Sequence, residues 1–362
     1  MQAIVLVGGE GTRLRPLTYG TPKPMVPIMG VPFLARTLER LCEAGIDDVI
    51  LPAGYMPEAI IEYFGNGSAL GMKITYVIEA TPLGTAGALK NVQEHITGPF
   101  FVLNGDILTS LDLNAMLEFH RAKGGMGALH LIRVEDPSAF GCVVHDDRGE
   151  ISAFVEKPPR ASAPTNEINA GTYLLEPEVL DLIPAGRPVS IERETFPEII
   201  ALGKGLFAYT TDDYWIDLGR PEEYLAAHRH IMDGSMPLAI EPGISGAGAA
   251  SLRGHAGITA PVHVDADVQI AASAKVGPNV VLGRGCRIGD GAVVRGSVLW
   301  EDVSVGDGSI VEDTIIASRS SIGSDARVGA GSVIGHDTTV APGAVLDVGS
   351  RVGPTRPDAT KN

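Results

Sequence analysis

Between Gly8 and Lys23 the chain gathers the residues best suited to chemistry: Gly8-Gly9-Glu10-Gly11-Thr12-Arg13-Leu14-Arg15, then Pro22-Lys23-Pro24. The hydrophobic strand Ala3-Ile4-Val5-Leu6-Val7 runs straight into this segment. Glycines after a strand let backbone N–H groups turn toward an anion, and a fixed Arg and Lys can then neutralise phosphate charge. The loop is suited to a polyphosphate. It is not a Walker loop, because Gly11 is followed by Thr12-Arg13 where that pattern needs Gly-Lys-Ser/Thr. Nor is it the dinucleotide fingerprint, since Leu14 stands where the third glycine belongs.

Such a loop needs a scaffold, and the first two thirds of the chain supply one. Val49–Ala53, Ile74–Ile78, Phe100–Leu103 and Met126–Ile132 read as strands, with a helix predicted from about Pro32 to Ala44. Strands alternating with helices imply an α/β, Rossmann-like, mostly parallel sheet covered on both faces. Ligands in such folds sit at the carboxyl ends of the strands. The glycine loop follows the first strand and Asn104-Gly105-Asp106 follows Phe100–Leu103, so both belong on one rim.

After a Gly/Ala/Ser/Pro-rich stretch the texture changes. Val264, Ile270, Val276, Leu282, Ile288 and Val294 recur every sixth residue, and Gly277, Gly283 and Gly289 each follow one of them. The frame slips near Trp300–Asp307 and resumes at Ile310, Ile316, Ile322, Val328, Ile334, Val340, Leu346 and Val352. A six-residue period is that of a parallel β-helix, each repeat forming one side of a triangular coil with its aliphatic residue inside. The resemblance is to left-handed hexapeptide β-helices. The expected organisation is an α/β domain over 1–232, a linker over 233–261, a left-handed β-helix over 262–353 and a tail over 354–362.

Composition narrows the partners. The net charge of −16 argues against nucleic acid, which needs a basic face. No apolar run approaches the roughly 20 residues that span a bilayer, and Met1-Gln2-Ala3 shows no basic leader. Cys42, Cys142 and Cys286 are far apart and fit reduced thiols of a cytoplasmic protein. An acidic protein that binds a polyphosphate must collect its cations locally, as Arg13, Arg15 and Lys23 would.

Gly8 to Pro27, read as GGxGTRLRPLT followed by PKPMVP, resembles the signature of sugar-nucleotide pyrophosphorylases. Leu83-Gly84-Thr85-Ala86-Gly87, Asn104-Gly105-Asp106, Phe154-Val155-Glu156-Lys157-Pro158, Asn169-Ala170-Gly171 and Trp215-Ile216-Asp217-Leu218-Gly219 follow in that family's order. The Leu83–Gly87 motif, Ser190-Ile191-Glu192-Arg193-Glu194-Thr195-Phe196-Pro197 and the appended β-helix look most like the mannose-1-phosphate guanylyltransferase branch.

The resemblance implies attack by a sugar 1-phosphate on the α-phosphorus of a nucleoside triphosphate, GTP and mannose 1-phosphate being the expected pair. A phosphate monoester is already ionised at pH 7, with a second pKa near 6, so no general base is assigned. It also implies residue roles. Gly8, Gly9, Gly11 and Thr12 would hold the triphosphate by backbone N–H groups, with Arg13 on the pyrophosphate and Lys23 near the α-phosphate. Asp106 and Asp217 would share Mg²⁺. Lys157 would guide the sugar phosphate, and Gly141, Glu156, Asn169 and Gly171 would meet the sugar. Glu79, Leu83 and Gly84 would line the base pocket, with a backbone contact from Leu6.

Blander readings stand beside these. Asp106 could cap a turn, Lys157 could be an exposed turn lysine, Asn169 could cap its own bend, and Arg15 could brace the loop from outside. His336 raises a rival class, since hexapeptide β-helices also serve acyltransferases with a histidine base; otherwise it is a polar corner residue. A regulatory subunit that binds a nucleotide sugar without making it is a further alternative, although such a chain would be expected to lose part of the motif set kept here. The ends and faces of the β-helix suggest a homo-oligomer. The other expected runner-up is a glucose-1-phosphate thymidylyl- or uridylyltransferase.

Overall fold

The computed structural model describes residues 1–238, 240–241, 243–252 and 254–353; the tail expected at 354–362 lies outside the described residues. The chain divides into two compact units, Met1–Gly9 with Leu34–Trp215, and Glu10–Phe33 with the chain from Ile216 onward.

The first unit is built on a nine-stranded sheet. Gln2–Leu6 runs parallel to Phe100–Asn104 on one side and Asp48–Ala53 on the other, with Lys73–Ile78 parallel beyond the latter. Ala3, Ile4, Val5, Val49, Leu51, Phe100 and Val102 are fully buried. Near-continuous apolar runs are what strands covered on both faces require. The rest of the sheet corrects the expectation of a mostly parallel one. Glu167–Leu175 is antiparallel to Phe100–Asn104 and to Gly127–Arg133, and Gly141–His145 is antiparallel to Ile151–Glu156. The short turn Asp146–Glu150 joins that last pair, a connection too short for the crossover that parallel strands need. Leu206–Thr210 restores a parallel partner to Gly127–Arg133, so the sheet is mixed.

The helix expected over 32–44 is Phe33–Glu43, and Gly45 with φ 76° takes the chain out of it. No helix among the described residues is long and apolar enough to cross a membrane. Cys42, Cys142 and Cys286 are free, the last two buried.

In the second unit short strands stack into three parallel sheets, of seven, five and five strands. Val264 pairs with Leu282, Leu282 with Leu299, Leu299 with Ile316, Ile316 with Ile334 and Ile334 with Val352. The six-residue aliphatics fill the centre, Val264, Leu282, Val294, Ile316 and Ile334 being fully buried. The frame slip expected near Trp300–Asp307 is two separate one-residue deletions, between Val294 and Leu299 and between Val311 and Ile316. Both fall at the same corner of the triangle, where Gly296 (φ 56°) and Asp313 (φ 46°) turn the chain. In consequence Val311, and not Ile310, is the buried residue of its coil. The segment 233–261, expected as a linker, carries Ile244–Ser245 stacked on Val262–His263, so the stack begins ahead of residue 262.

Candidate active site

At the carboxyl ends of the parallel strands the first unit forms a rim. Gly105 N–H donates to the Leu6 carbonyl at 3.0 Å, and a Cβ on Gly105 would stand 2.4 Å from that oxygen. Glycine is therefore required for the turn bearing Asp106 to close onto the end of the first strand. A Cβ on Gly8 would meet Glu79 Oε2 at 3.5 Å, and one on Gly54 would meet the Gly8 carbonyl at the same distance. Gly54 escaped the sequence reading, although its place directly after Asp48–Ala53 marks it as a rim residue.

Glu79 is the most unusual group on this rim. Its backbone N–H bonds to the Ala53 carbonyl at 2.9 Å, which fixes it at the end of Lys73–Ile78. Oε1 is buried and has no hydrogen-bond partner among the described residues. Burial raises the carboxyl's pKa above the ordinary glutamate value, and the Leu83 backbone N–H pulls it partly back. A carboxylate so placed is short of donors.

The motif beginning at Leu83 is folded against the Ser190 motif. Gly84, at φ 72°, could not carry a Cβ, which would lie 2.6 Å from the Val189 carbonyl. That carbonyl accepts from Ala86 N–H at 3.0 Å. Thr85 donates its hydroxyl to Glu192 at 2.9 Å and accepts Ile191 N–H at 2.8 Å. Gly84 thus has a packing reason of its own.

Gly141, Glu156, Lys157 and Asn169 come together at the hairpin. Glu156 pairs with Gly141, and Ile168 pairs with Cys142, one residue further along. A Cβ on Gly141 would strike the Phe154 ring at 2.6 Å and Glu156 Oε2 at 2.9 Å. Lys157 holds φ 50°, the left-handed region that costs a side-chain-bearing residue energy. Its N–H is anchored on the Phe140 carbonyl at 2.9 Å, and Nζ lies 3.4 Å from Glu156 Oε1. Asn169 opens a register shift that ends at Tyr173. Its Oδ1 accepts Gly171 N–H at 3.0 Å and its Nδ2 donates to Tyr173 OH at 2.8 Å, so part of its polarity serves its own bulge. Gly171, at φ 75°, packs on Asn104, whose Nδ2 would be 2.7 Å from a Cβ.

The second unit holds Gly11, Thr12, Arg13, Lys23 and Asp217. Gly11, at φ 62°, lies against Lys23, whose Cβ would be 2.9 Å from a Cβ on the glycine. Thr18 donates its hydroxyl to the Gly11 carbonyl at 2.9 Å, and Thr12 O accepts Arg15 N–H at 3.2 Å. Arg15 pairs with Glu10 at 2.6 Å and lies 5.2 Å from the centre of the Tyr19 ring, bracing the loop. Arg13 NH2 is 3.8 Å from Asp217 Oδ2. Its guanidinium lies over Gly219, where a Cβ would be 2.5 Å from NH2, so the motif ending Asp217-Leu218-Gly219 makes room for the arginine. The guanidinium stays half exposed and open to an anion. Among the described residues no group of three or more His, Cys, Asp or Glu side chains could by itself hold a metal ion.

A mixed sheet with this glycine-rich rim, followed by a β-helix, defines a nucleotide-handling enzyme class, and comparison with known proteins gives it a family. Residues 2–234 match the nucleotidyl transferase model and residues 258–356 match the GMPPB C-terminal domain model. The chain belongs to the nucleotidyl transferase family. It is 44% identical over 259 residues to mannose-1-phosphate guanylyltransferase of Mycobacterium tuberculosis, covering 71% of this chain and 68% of the relative. It is 42% identical over 239 residues to mannose-1-phosphate guanylyltransferase 1 of Arabidopsis thaliana (64% and 65%). For mannose-1-phosphate guanyltransferase of Saccharomyces cerevisiae the identity is 41% over 232 residues (62% and 63%), so the matches span about two thirds of the relatives' length. Among solved structures, HddC from Yersinia pseudotuberculosis complexed with GMP-PN superposes with TM-score 0.55 at 32% identity, covering 64% of this chain and 99% of that one.

Proposed function

We propose that this chain is a cytoplasmic enzyme that transfers a guanylyl group from GTP to mannose 1-phosphate, giving GDP-mannose and pyrophosphate. The observation that carries the choice of base is Glu79, whose buried Oε1 has no partner beside Gly8 and Leu83. Guanine offers two adjacent donors, N1–H and the exocyclic amine, which an ionised carboxylate accepts. Thymine and uracil present a single N–H between two carbonyls, which a carboxylate repels.

The nucleophile arrives ionised, so the work lies in placing two anions and neutralising their charge. Backbone N–H groups of Gly8, Gly9, Gly11 and Thr12 receive phosphate oxygens, Arg13 the leaving pyrophosphate, and Lys23 the α-phosphate. Lys157, held by its strained backbone, orients the sugar phosphate, while Glu156 and Asn169 accept sugar hydroxyls. Leu6, Leu83 and Gly84 border the base, and Gly141 and Gly171 leave space for the sugar. Divalent-metal use is general in the family, and Mg²⁺ is the proposed ion; Asp106 and Asp217 are carboxylates of the class it takes. Mg²⁺ needs no cluster of protein ligands, since phosphates and waters complete its shell, and when bound it offsets phosphate charge.

Pyrophosphate release with GTP, ATP, UTP and dTTP against mannose and glucose 1-phosphates tests this directly. GTP with mannose 1-phosphate should lead. A preference for another pair overturns the substrate assignment, and silence with all pairs favours a binding role.

A further inference from the structure

The middle of the signature loop is gripped by the β-helix of its own unit. His336 Nε2 lies 3.2 Å from the Leu17 carbonyl and 3.1 Å from Thr21 Oγ1. A carbonyl only accepts, so Nε2 carries the hydrogen and Nδ1 is bare. Nδ1 is buried without a hydrogen-bond partner among the described residues. Burial also lowers the ring's pKa, which keeps it neutral with its donor facing the loop. A solvent-facing corner residue would need none of this, and a general base for acyl transfer would not be closed off by a backbone carbonyl.

The surrounding contacts act on the same segment. A Cβ on Gly20 would stand 3.0 Å from His336 Cδ2. Pro16 seats on Gly335 and Gly353, where added Cβ atoms would meet its Cβ at 3.1 and 3.0 Å. Trp300 packs edge-on against His336, with ring centroids 5.3 Å apart. Its Nε1–H donates to Tyr224 OH at 3.0 Å, and Tyr224 O–H donates in turn to the Pro27 carbonyl. Residues 16–21 and 27 are therefore tied down on either side of Lys23. Thr18, inside the gripped stretch, reaches back to the Gly11 carbonyl just ahead of Arg13.

We propose that His336 is a positioning residue for nucleotidyl transfer: through Leu17 and Thr21 it holds Arg13 and Lys23 in the arrangement that takes the triphosphate. The β-helix is then a working part of nucleotide binding. This inference rests on reading the loop as the triphosphate site.

Two readouts test it on the full chain. Arg15 and Lys23 are each followed by proline, which leaves Arg13–Leu14 as the bond in this loop open to trypsin. His336→Ala should speed cleavage there about tenfold, since nicking follows the population of the opened loop. The KM for GTP should rise about five- to tenfold, while that for mannose 1-phosphate stays within about twofold. His336→Gln, whose side-chain amide can replace the Nε2 donor, should recover most of both. Thr21→Val should move both readouts the same way by less, and it decides the matter if His336→Ala fails to fold. Nicking and GTP KM both within about twofold of the starting protein would overturn the proposal, as would equal rises in both KM values. If the starting protein turns over no substrate pair, the nucleotidyl reading fails, while the nicking rate still reports on the tether.

Discussion

Replacing Glu79 with glutamine should move catalysis and stability in opposite directions. A hydrogen bond to a charged group contributes about 1.5–3 kcal/mol. Guanine would lose the charge behind two such bonds and meet an N–H in place of one acceptor. The expected loss is about 2–4 kcal/mol, or roughly 30- to 900-fold in kcat/KM for GTP. In the free protein the same change removes a carboxylate whose Oε1 is buried without a partner, while the amide oxygen still accepts from Leu83 N–H. The unfolding free energy should hold or rise, by up to about 1 kcal/mol. The pH dependence follows with a definite sign. Glu79's folded pKa is raised, so between the ordinary glutamate value and the raised one the folded state binds more protons and stability falls as pH rises. GTP needs the ionised form, so its KM should rise on acidification, and Glu79→Gln should lack that limb. The assay is pyrophosphate release at saturating mannose 1-phosphate with GTP varied across about pH 5 to 8, beside urea unfolding of both proteins. A variant with kcat/KM for GTP within about threefold of the starting value, or one clearly less stable, would refute the reasoning.

Asp106→Ala and Asp217→Ala should each abolish Mg²⁺-dependent turnover; activity within about fivefold of the starting protein in a metal titration would sink the carboxylate assignment. Lys157→Ala should lower kcat and raise the KM for mannose 1-phosphate together, and an unchanged KM would leave Lys157 an exposed turn lysine. His228 accepts Met29 N–H on Nε2 at 3.2 Å and donates from Nδ1 to the Tyr224 carbonyl at 2.9 Å, and burial takes its pKa down to about 4. That folded value is depressed, so its contribution is complete above the unfolded value near 6.5 and is lost as pH falls toward about 4, by about 3 kcal/mol in all. Urea midpoints of the protein and of His228→Gln over that range check this, the variant losing less on acidification. Val345 and Val348 are exposed on the last described coil, at 69% and 79%, and a homo-oligomer through the β-helix is expected; a monomer by light scattering of the full chain would end the idea.

The fold was legible wherever a period was long and one-sided. The six-residue aliphatic frame marked the β-helix because only residues pointing into the triangle must be apolar, and Val264, Val294 and Ile334 obey it. The frame misled at Ile310. A one-residue deletion at a corner leaves no compositional trace, and two adjacent aliphatics, Ile310 and Val311, fit either frame. The parallel core was equally clear from Val49, Ile50 and Leu51, buried on both faces. The antiparallel rungs were not, because strand direction is set by which connections are long enough to cross over, and Gly141 to Glu156 gives little notice that it folds back on itself.

At the site, residue types were legible and their reasons often were not. Gly11 read as a phosphate glycine and Gly105 as the middle of the Asn104-Gly105-Asp106 motif, yet each is also required by packing, Gly105 against the Leu6 carbonyl and Gly11 against the Lys23 side chain. Asn169 read as a sugar contact, yet two of its polar atoms are engaged in its own bulge. Glu79 read as one of three residues lining the base pocket, and only its orphaned oxygen makes it an argument for guanine. His336 shows the limit most plainly. In sequence it sits 315 residues from the threonine it touches, and no local pattern links the two. The stretch Arg15-Pro16-Leu17-Thr18-Tyr19-Gly20-Thr21 therefore has two parts in one signature. Arg15 and Thr18 serve the loop itself, while Pro16, Leu17, Gly20 and Thr21 are the surface on which the β-helix seats it. Charge placed on a loop neutralises phosphate only as well as the loop is held, and here the holding is done by residues more than 300 positions away.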